Sequence, residues 1–312
     1  MIIYVAFPLR ESDLTLLDEG LLPSETLLLA QHLPENERKK AFLQAQVAFG
    51  NVPLEWVEES VRLQWLQLYS TGLNPYQHIE WNNKASPVTV TNLHGFFGEP
   101  VAETALAGIL ALYRKLDQLF SLQAQKQWIG QRIRPHMQVL HHKAVLILGA
   151  GAIGITLAKL LAAFSCQLQV VSRSTCPTLA DLDALLPTAD IVINCLPDTA
   201  QTRGILNADR ISSMKPSALV VNVGRGTAID EPALMKALQR GKLAGAVLDV
   251  TEREPLASDH PLWRCPNVLL TQHTGGGYQA EDTDKVRVFL KNLHHYRLGE
   301  PLEHVVDFSK GY

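Results

Sequence analysis

The stretch that most constrains the fold is Val145-Leu146-Ile147-Leu148-Gly149-Ala150-Gly151-Ala152-Ile153-Gly154. Four apolar residues read as a buried strand and run straight into Gly-x-Gly-x-x-Gly, after which residues 155–164 follow helical periodicity. A strand, a glycine turn and a helix in this order suit a dinucleotide pyrophosphate. Gly149 permits the tight turn, Gly151 lets backbone N–H groups approach phosphate, and Gly154 lets helix and strand pack closely. The helix N-terminus adds unpaired N–H groups and the positive end of the peptide dipoles. Three glycines alone would equally fit an ordinary α/β turn. The clean strand before them and the helix after them select nucleotide binding.

The same alternation continues downstream, with strands expected at 167–172, 190–194, 218–222, 245–249 and 267–271 and helical patterns between them. That is a doubly wound parallel sheet with right-handed crossovers, a Rossmann-type domain. Upstream, a strand at 2–6 is followed by short alternating elements as far as 88–91, which describes a smaller α/β domain. Ser70, Thr71 and Gly72 follow the strand that ends at Leu68. Such a small-residue turn is either a plain turn or a ligand contact. Residues 99–119 are expected to form one long helix. Residues 123–140 are polar, lie outside the sheet, and carry apolar anchors such as Trp128 that suit a partner subunit. A last helix over 278–297 is expected to return to the first domain. The division is therefore 1–98 with 278–312 for one domain and 99–277 for the other.

Composition narrows the function. A chain of 312 residues with 46% hydrophobic content sustains two ordinary cores. Its net charge of −3 gives no electrostatic case for nucleic acid or an anionic membrane. The longest apolar runs, such as 105–112, are too short to span a bilayer, and residues 1–7 lack the features of a secretory leader. Four cysteines without a C-x-x-C pair read as free thiols in a reducing cytoplasm, not as a metal site. Cys195, at an apolar strand end, reads as a small buried hydrophobe.

Three polar residues lie just past the carboxyl ends of three consecutive strands: Arg225, Glu254 and His273. In a parallel sheet those ends face the same crevice as the glycine loop. An arginine can grip a carboxylate with two parallel hydrogen bonds and polarise a ketone. A histidine can donate a proton, and a glutamate can orient it. Taken singly, each residue has a bland explanation: a turn arginine between two glycines, a solvated loop charge before Pro255, a structural loop histidine. At matching strand ends they make a site for hydride transfer to a 2-keto acid.

These segments also resemble a known family, the D-isomer-specific 2-hydroxyacid dehydrogenases, and within it the glyoxylate/hydroxypyruvate reductase branch. The resemblance rests on the glycine loop from Gly149 to Gly154, on Val221-Asn222-Val223-Gly224-Arg225-Gly226, on Leu248-Asp249-Val250 leading to Glu254-Pro255-Leu256, on Pro266-Asn267-Val268 leading to His273, and on Val101-Ala102-Glu103 before an apolar helix. It is dense from about 99 to 277 and thin over 1–98. It implies a flavodoxin-like substrate domain and a homodimer. It implies Arg225 on the substrate carboxylate and ketone, His273 as acid/base with Glu254 as its partner, and Asp249 near the nicotinamide carboxamide. It also implies substrate contacts from Ser70, Thr71, Gly72, Arg225 and His273. The cofactor site so drawn comprises Gly149, Gly151, Ala152, Ile153, Gly154, Ser172, Arg173, Ser174, Leu196, Pro197, Val223, Gly224 and Asp249. No metal is implied.

Two departures stand out. The family commonly has Thr-Pro-His where this chain has Thr271-Gln272-His273, which alters the approach to the histidine. The segment 175–181 is short, so a strand near the adenosine is expected to be missing. Cofactor choice is legible too. The second strand ends in Val171-Ser172-Arg173-Ser174 without the acid that holds ribose hydroxyls in NAD sites. A guanidinium flanked by hydroxyls suits a 2′-phosphate, hence NADPH over NAD, unless Arg173 only stacks on adenine. The expected function is NADPH-dependent reduction of a small 2-keto acid in the cytoplasm. The alternatives are a dehydrogenase for a bulkier 2-keto acid and a dinucleotide-sensing binding protein built on the same fold.

Overall fold

The computed structural model describes residues 1–73, 76, 79, 88–172, 175, 176 and 178–308. The chain divides into two compact units, Met1–Phe96 with Tyr278–Tyr312, and Phe97–Gly277.

In the first unit, β1 (Ile2–Val5), β2 (Thr26–Leu29), β3 (Val47–Phe49), β4 (Trp65–Gln67) and β5 (Thr89–Thr91) form an all-parallel sheet in the order β2-β1-β3-β4-β5. This is the flavodoxin-like winding. Successive residues of a strand face opposite sides, so Tyr4, Ala48 and Leu66 enter one core while Ile3, Val5, Val47, Phe49 and Trp65 enter the other. The helix Glu281–Leu298 covers the second face. Its Phe289 stacks on Phe49 with ring centroids 4.5 Å apart and on Trp65 at 5.2 Å. It ends at Gly299, in the left-handed conformation that closes many helices.

In the second unit, β6 (Ala144–Leu148), β7 (Gln167–Val171), β8 (Ile191–Asn194), β9 (Leu219–Asn222), β10 (Gly245–Leu248) and β11 (Val268–Leu270) form a parallel sheet in the order β11-β10-β9-β8-β6-β7. Both faces are covered. Leu146, Leu148, Val192, Val220 and Leu248 pack into one core, and Val145, Ile147, Ile193, Val221 and Val247 into the other. That is why these strands are near-continuous apolar runs. Each such fully buried Val, Leu or Ile stabilises the fold by about 1.5–3 kcal/mol. Among the described residues β7 is the edge of the sheet, with no further strand beside it. The strand order reverses between β6 and β8, and that switch point is where open α/β sheets bind ligands.

The single helix expected over 99–119 is two helices, Gly98–Tyr113 and Leu116–Ala124. Lys115 breaks them apart in the left-handed region at φ 57°. The first helix buries Val101, Ala105, Ile109 and Leu112 on the sheet, and at Gly108 it lies so close to Val247 that a Cβ would stand 2.5 Å from it. The second helix has no buried residue. Once the sequence turns polar at Arg114 and Lys115, no packing keeps the axis straight. Among the described residues no helix is long and apolar enough to cross a membrane.

Candidate active site

The glycine loop joins β6 to the helix Ala152–Ala162. Gly149 has φ 113°, and a Cβ on Gly154 would stand 2.0 Å from the Gly149 carbonyl oxygen. No side chain other than hydrogen fits there. Around Gly151 the opposite holds: a Cβ would meet nothing within 4 Å, and no side chain caps the helix that begins at Ala152. The first N–H groups of that helix, from Ala152, Ile153 and Gly154, therefore border open space, as a pyrophosphate requires. Across the switch point, the Gly149 Cβ position lies 3.2 Å from the carbonyl oxygen of Cys195, so the loops after β6 and β8 abut. Burial pushes the Cys195 thiol up to about 12, which keeps it protonated and inert.

At the end of β7 the backbone N–H of Ser172 donates to Thr175 Oγ1 at 2.8 Å, and the N–H of Cys176 donates back to the Ser172 carbonyl at 2.9 Å. These bonds brace the end of β7, where an adenosine ribose lies in such folds. Arg173 and Ser174 lie outside the described residues.

The loops after β8 and β9 are tied by two asparagines that sequence reasoning passed over. Asn194 and Asn222 are the last residues of their strands, stand opposite each other in register and are 0% and 1% exposed. Asn194 Nδ2 donates to Asn222 Oδ1 at 2.8 Å, and Asn194 Oδ1 accepts from the Leu196 N–H at 3.3 Å. Asn222 Oδ1 also accepts from the Gly224 N–H at 3.2 Å, while its Nδ2 donates to the Arg225 carbonyl at 3.0 Å. Leu196, Val223, Gly224 and Arg225 are thereby held on one scaffold, with Pro197 exposed beyond it. A Cβ on Gly224 would stand 2.6 Å from the Leu196 carbonyl oxygen, so the glycine is what lets the two loops meet. The sequence signal was available: an asparagine closes two adjacent apolar strands at the same position. Arg225 itself is half-buried and spends Nη1 on the Gly224 carbonyl at 2.7 Å. Nε and Nη2 make no hydrogen bond to the described residues.

Asp249 is the hub of the loop after β11. It is 5% exposed, and its Oδ1 accepts from Thr271 Oγ1 at 2.6 Å, the Thr274 N–H at 3.1 Å and the Gly275 N–H at 3.0 Å. Its backbone carbonyl accepts from the His273 N–H at 2.6 Å. The Gly275 carbonyl in turn accepts from Thr104 Oγ1 at 3.1 Å, which pins this loop to the helix Gly98–Tyr113. His273 Nδ1 lies 2.6 Å from Glu254 Oε2. Glu254 is fixed through its other oxygen, which accepts from the Thr251 N–H at 3.0 Å. The structure thus joins His273, Glu254 and Asp249 in one network. A cavity of about 410 Å³ adjoins it, walled by Leu256, Trp263, Leu270, Gln272, Glu254 and His273.

Ser70, Thr71 and Gly72 belong to the first unit, just past β4. Asn51 Nδ2 donates to Ser70 Oγ at 3.0 Å, Thr71 Oγ1 donates to the Leu93 carbonyl at 3.1 Å, and Asn92 Nδ2 donates to the Thr71 carbonyl at 3.1 Å. The turn is rigidly braced. Among the described residues no His, Cys, Asp and Glu group is arranged to hold a metal ion.

Comparison with known proteins accords with this geometry. A family model described as D-isomer specific 2-hydroxyacid dehydrogenase, NAD binding domain, matches residues 106–275. Glyoxylate/hydroxypyruvate reductase B of Pectobacterium carotovorum subsp. carotovorum (strain PC1) is 30% identical over 269 residues, 83% of each chain. Glyoxylate/hydroxypyruvate reductase A of Salmonella newport (strain SL254) is 34% identical over 225 residues, 69% of this chain and 70% of the relative. Among solved structures, a D-isomer specific 2-hydroxyacid dehydrogenase family protein from Aeromonas salmonicida subsp. salmonicida A449 shares 29% identity and a TM-score of 0.86, over 98% of this chain and 99% of that one. The chain therefore belongs to the D-isomer specific 2-hydroxyacid dehydrogenases, oxidoreductases that work with a nicotinamide dinucleotide.

Proposed function

We propose that the protein reduces a small 2-keto acid, of glyoxylate or hydroxypyruvate size, to the D-2-hydroxy acid with NADPH, as a cytoplasmic homodimer whose first unit is the substrate domain. The observation that carries the reading is the 2.6 Å contact between His273 Nδ1 and Glu254 Oε2 at the carboxyl ends of β11 and β10, on the sheet edge that holds the glycine loop. The names of the reductase relatives support the substrate class. Exposed Phe120 and Trp128, 65% and 96% accessible, support a dimer, and free cysteines support a reducing compartment.

The bound dinucleotide supplies the hydride. The chain supplies the rest. Glu254 holds Nδ1 of the imidazole, so Nε2 is the atom that gives a proton to the ketone oxygen. Arg225 offers Nε and Nη2 to the substrate carboxylate, its third nitrogen being tied to its own loop. Asp249 keeps the histidine loop in place.

A second reading, a bulkier 2-keto acid, is favoured by the 410 Å³ cavity beside His273, which exceeds what glyoxylate fills. Initial rates with NADPH and with NADH, across glyoxylate, hydroxypyruvate, a branched and an aryl 2-keto acid, separate the cases. The highest kcat/KM for one of the two small acids with NADPH supports the proposal. A branched or aryl preference moves it to the second reading. Tight dinucleotide binding with no turnover of any acid overturns both in favour of a sensor.

A further inference from the structure

Two buried amides connect the loops after β8 and β9, and their hydrogen bonds run in one direction. The Leu196 N–H donates to Asn194 Oδ1 at 3.3 Å, so the amide nitrogen of Asn194 faces the other way. That nitrogen donates to Asn222 Oδ1 at 2.8 Å, and the same oxygen accepts from the Gly224 N–H at 3.2 Å. With its oxygen so engaged, Asn222 turns Nδ2 toward the Arg225 carbonyl, 3.0 Å away. An amide has one accepting end and one donating end, so each bond fixes the orientation of the next. Burial makes a reversed amide costly, because its polar ends would then be unmatched. The end of this relay falls on a residue between two glycines. Arg225 Nη1 bonds to the Gly224 carbonyl, which holds the guanidinium to its own loop but not the loop to the sheet. The Arg225 carbonyl also accepts from the Ala228 N–H at 3.2 Å, within the turn that follows. Asn222 Nδ2 is the donor that ties this carbonyl back to the end of β9.

We infer that Asn222 is a positioning residue for the keto-acid carboxylate: its Nδ2 fixes the backbone from which Arg225 reaches the substrate, and Asn194 keeps that amide the right way round. The inference rests on the reading of Arg225 as the group that grips the carboxylate. Asn222 has a second task, carried by different atoms. Its backbone carbonyl accepts from the Asp249 N–H at 2.9 Å, and the Asp249 carbonyl accepts from the His273 N–H. That line runs through the main chain and does not depend on the Asn222 side chain. A change confined to the amide nitrogen therefore disturbs the arginine and spares the histidine. The glycine side of the loop is spared as well, since the Leu196 and Gly224 N–H groups are held by the amide oxygens.

The test replaces each amide nitrogen by oxygen at nearly constant shape. Asn222→Asp keeps an acceptor for Asn194 Nδ2 and the Gly224 N–H but sets an oxygen against the Arg225 carbonyl. Asn194→Asp keeps an acceptor for the Leu196 N–H but sets an oxygen against Asn222 Oδ1. With the preferred 2-keto acid and saturating NADPH, KM should rise about tenfold in Asn222→Asp, the scale of a buried hydrogen bond replaced by two opposed acceptors. The Kd of oxamate for the NADPH-bound protein should rise by about the same factor, since this inert mimic carries the same carboxylate. In Asn194→Asp the Arg225 carbonyl keeps its donor and only the orienting bond is lost, so both constants should rise by a smaller factor, about fivefold. The kcat and the dinucleotide Kd should stay within about twofold of the parent in both variants, a split that a general loosening of the site would not produce. Should Asn222→Asp fail to fold, Asn194→Asp decides by the same split. An unchanged KM and oxamate Kd in the folded variants, or a fall in kcat with KM unmoved, overturns the inference. Arg225→Lys is the control. If it weakens oxamate while both asparagine variants match the parent, only the amide relay fails; if oxamate binds Arg225→Lys as it binds the parent, the carboxylate role of Arg225 itself fails.

Discussion

Two loops on the same edge of the six-stranded sheet meet the same backbone demand in opposite ways. After β6 the chain must turn at positive φ and pack tightly, and it does so with glycines: φ 113° at Gly149, and at Gly154 a Cβ position 2.0 Å from a carbonyl oxygen. After β11 the chain again turns at positive φ, here with Gln272 and His273. The difference lies in what each loop presents. A dinucleotide phosphate is held by backbone N–H groups, so side chains can be dispensed with. The proton donor of the proposed reaction is a side chain, so the strained position carries one, and the strain is offset by bonding to Asp249. One loop relaxes the backbone and the other braces it.

The widest separation between the two loops should appear when each loses its defining atom. His273→Ala should lower turnover by about 10²–10⁴-fold while leaving dinucleotide Kd near the parent value. Gly154→Ala should do the reverse in order of cause. The added methyl has no room beside the Gly149 carbonyl, so dinucleotide affinity should fall by about tenfold or more and Tm should drop, overpacking costing about 1–3 kcal/mol. Titration calorimetry with the dinucleotide and single-turnover rates at saturating cofactor resolve the two. Equal damage to affinity in both variants would mean that the loops are not the separate devices described.

Next in size is Arg225→Lys, which keeps the charge but not the planar fork. The kcat/KM for the keto acid should fall about a hundredfold, the scale of a lost charge-assisted pair. Lysine also lacks the nitrogen that ties Arg225 to the Gly224 carbonyl, so the brace on the β9 loop is lost as well. Parent-like kinetics would remove Arg225 from the substrate site.

What could be read in the sequence follows from the same contrast. The glycine loop and the strands of both sheets were legible, because an apolar run before Gly-x-Gly-x-x-Gly has few physical outcomes. Arg225, Glu254 and His273 were nameable from their places after three strands. The turn at Gln272 and His273 was not, since neither residue signals positive φ. The asparagine pair was half legible: an Asn closes each of two neighbouring apolar strands, but only the register shows Asn194 facing Asn222. The break at Lys115 was hidden because Leu116, Leu119 and Phe120 prolong the helical periodicity, yet those side chains have no sheet beneath them and Phe120 stays 65% exposed.

A smaller effect, on selectivity and not on rate, is expected at the end of β7. Arg173→Asp replaces attraction for a 2′-phosphate by repulsion. The ratio of kcat/KM with NADPH to that with NADH should fall by about tenfold or more, while NADH kinetics stay near the parent. An unmoved ratio assigns the preference elsewhere, with Ser172 the described residue nearest in sequence.

The smallest effect belongs to the opposite edge of the same sheet, where the strands begin. Asp190 stands just before β8. Its Oδ2 accepts from the Ala144 N–H at 2.9 Å, at the start of β6, and its Oδ1 from Lys215 Nζ at 2.8 Å. Burial pushes this carboxyl up, but Lys215, the Ala144 N–H and the nearby Lys143 outweigh burial and hold it below the ordinary aspartate range. A carboxyl with a folded pKa below the unfolded one stabilises the fold above the unfolded pKa, and that contribution disappears as pH falls through the folded value. Asp190→Asn keeps an oxygen for Ala144 and loses only the charge facing Lys215, which is partly screened by solvent. Stability at neutral pH should therefore drop by about 0.5–1 kcal/mol, a Tm change of roughly 1–4 °C. The gap between variant and parent should close as the pH is lowered from about 4 toward the folded pKa. Turnover at neutral pH should not change, because no strand's carboxyl end is touched. A loss of kcat in Asp190→Asn without a matching loss of Tm would mean that the edge where the strands begin steers chemistry as well, and that the division of labour between the two edges is wrong.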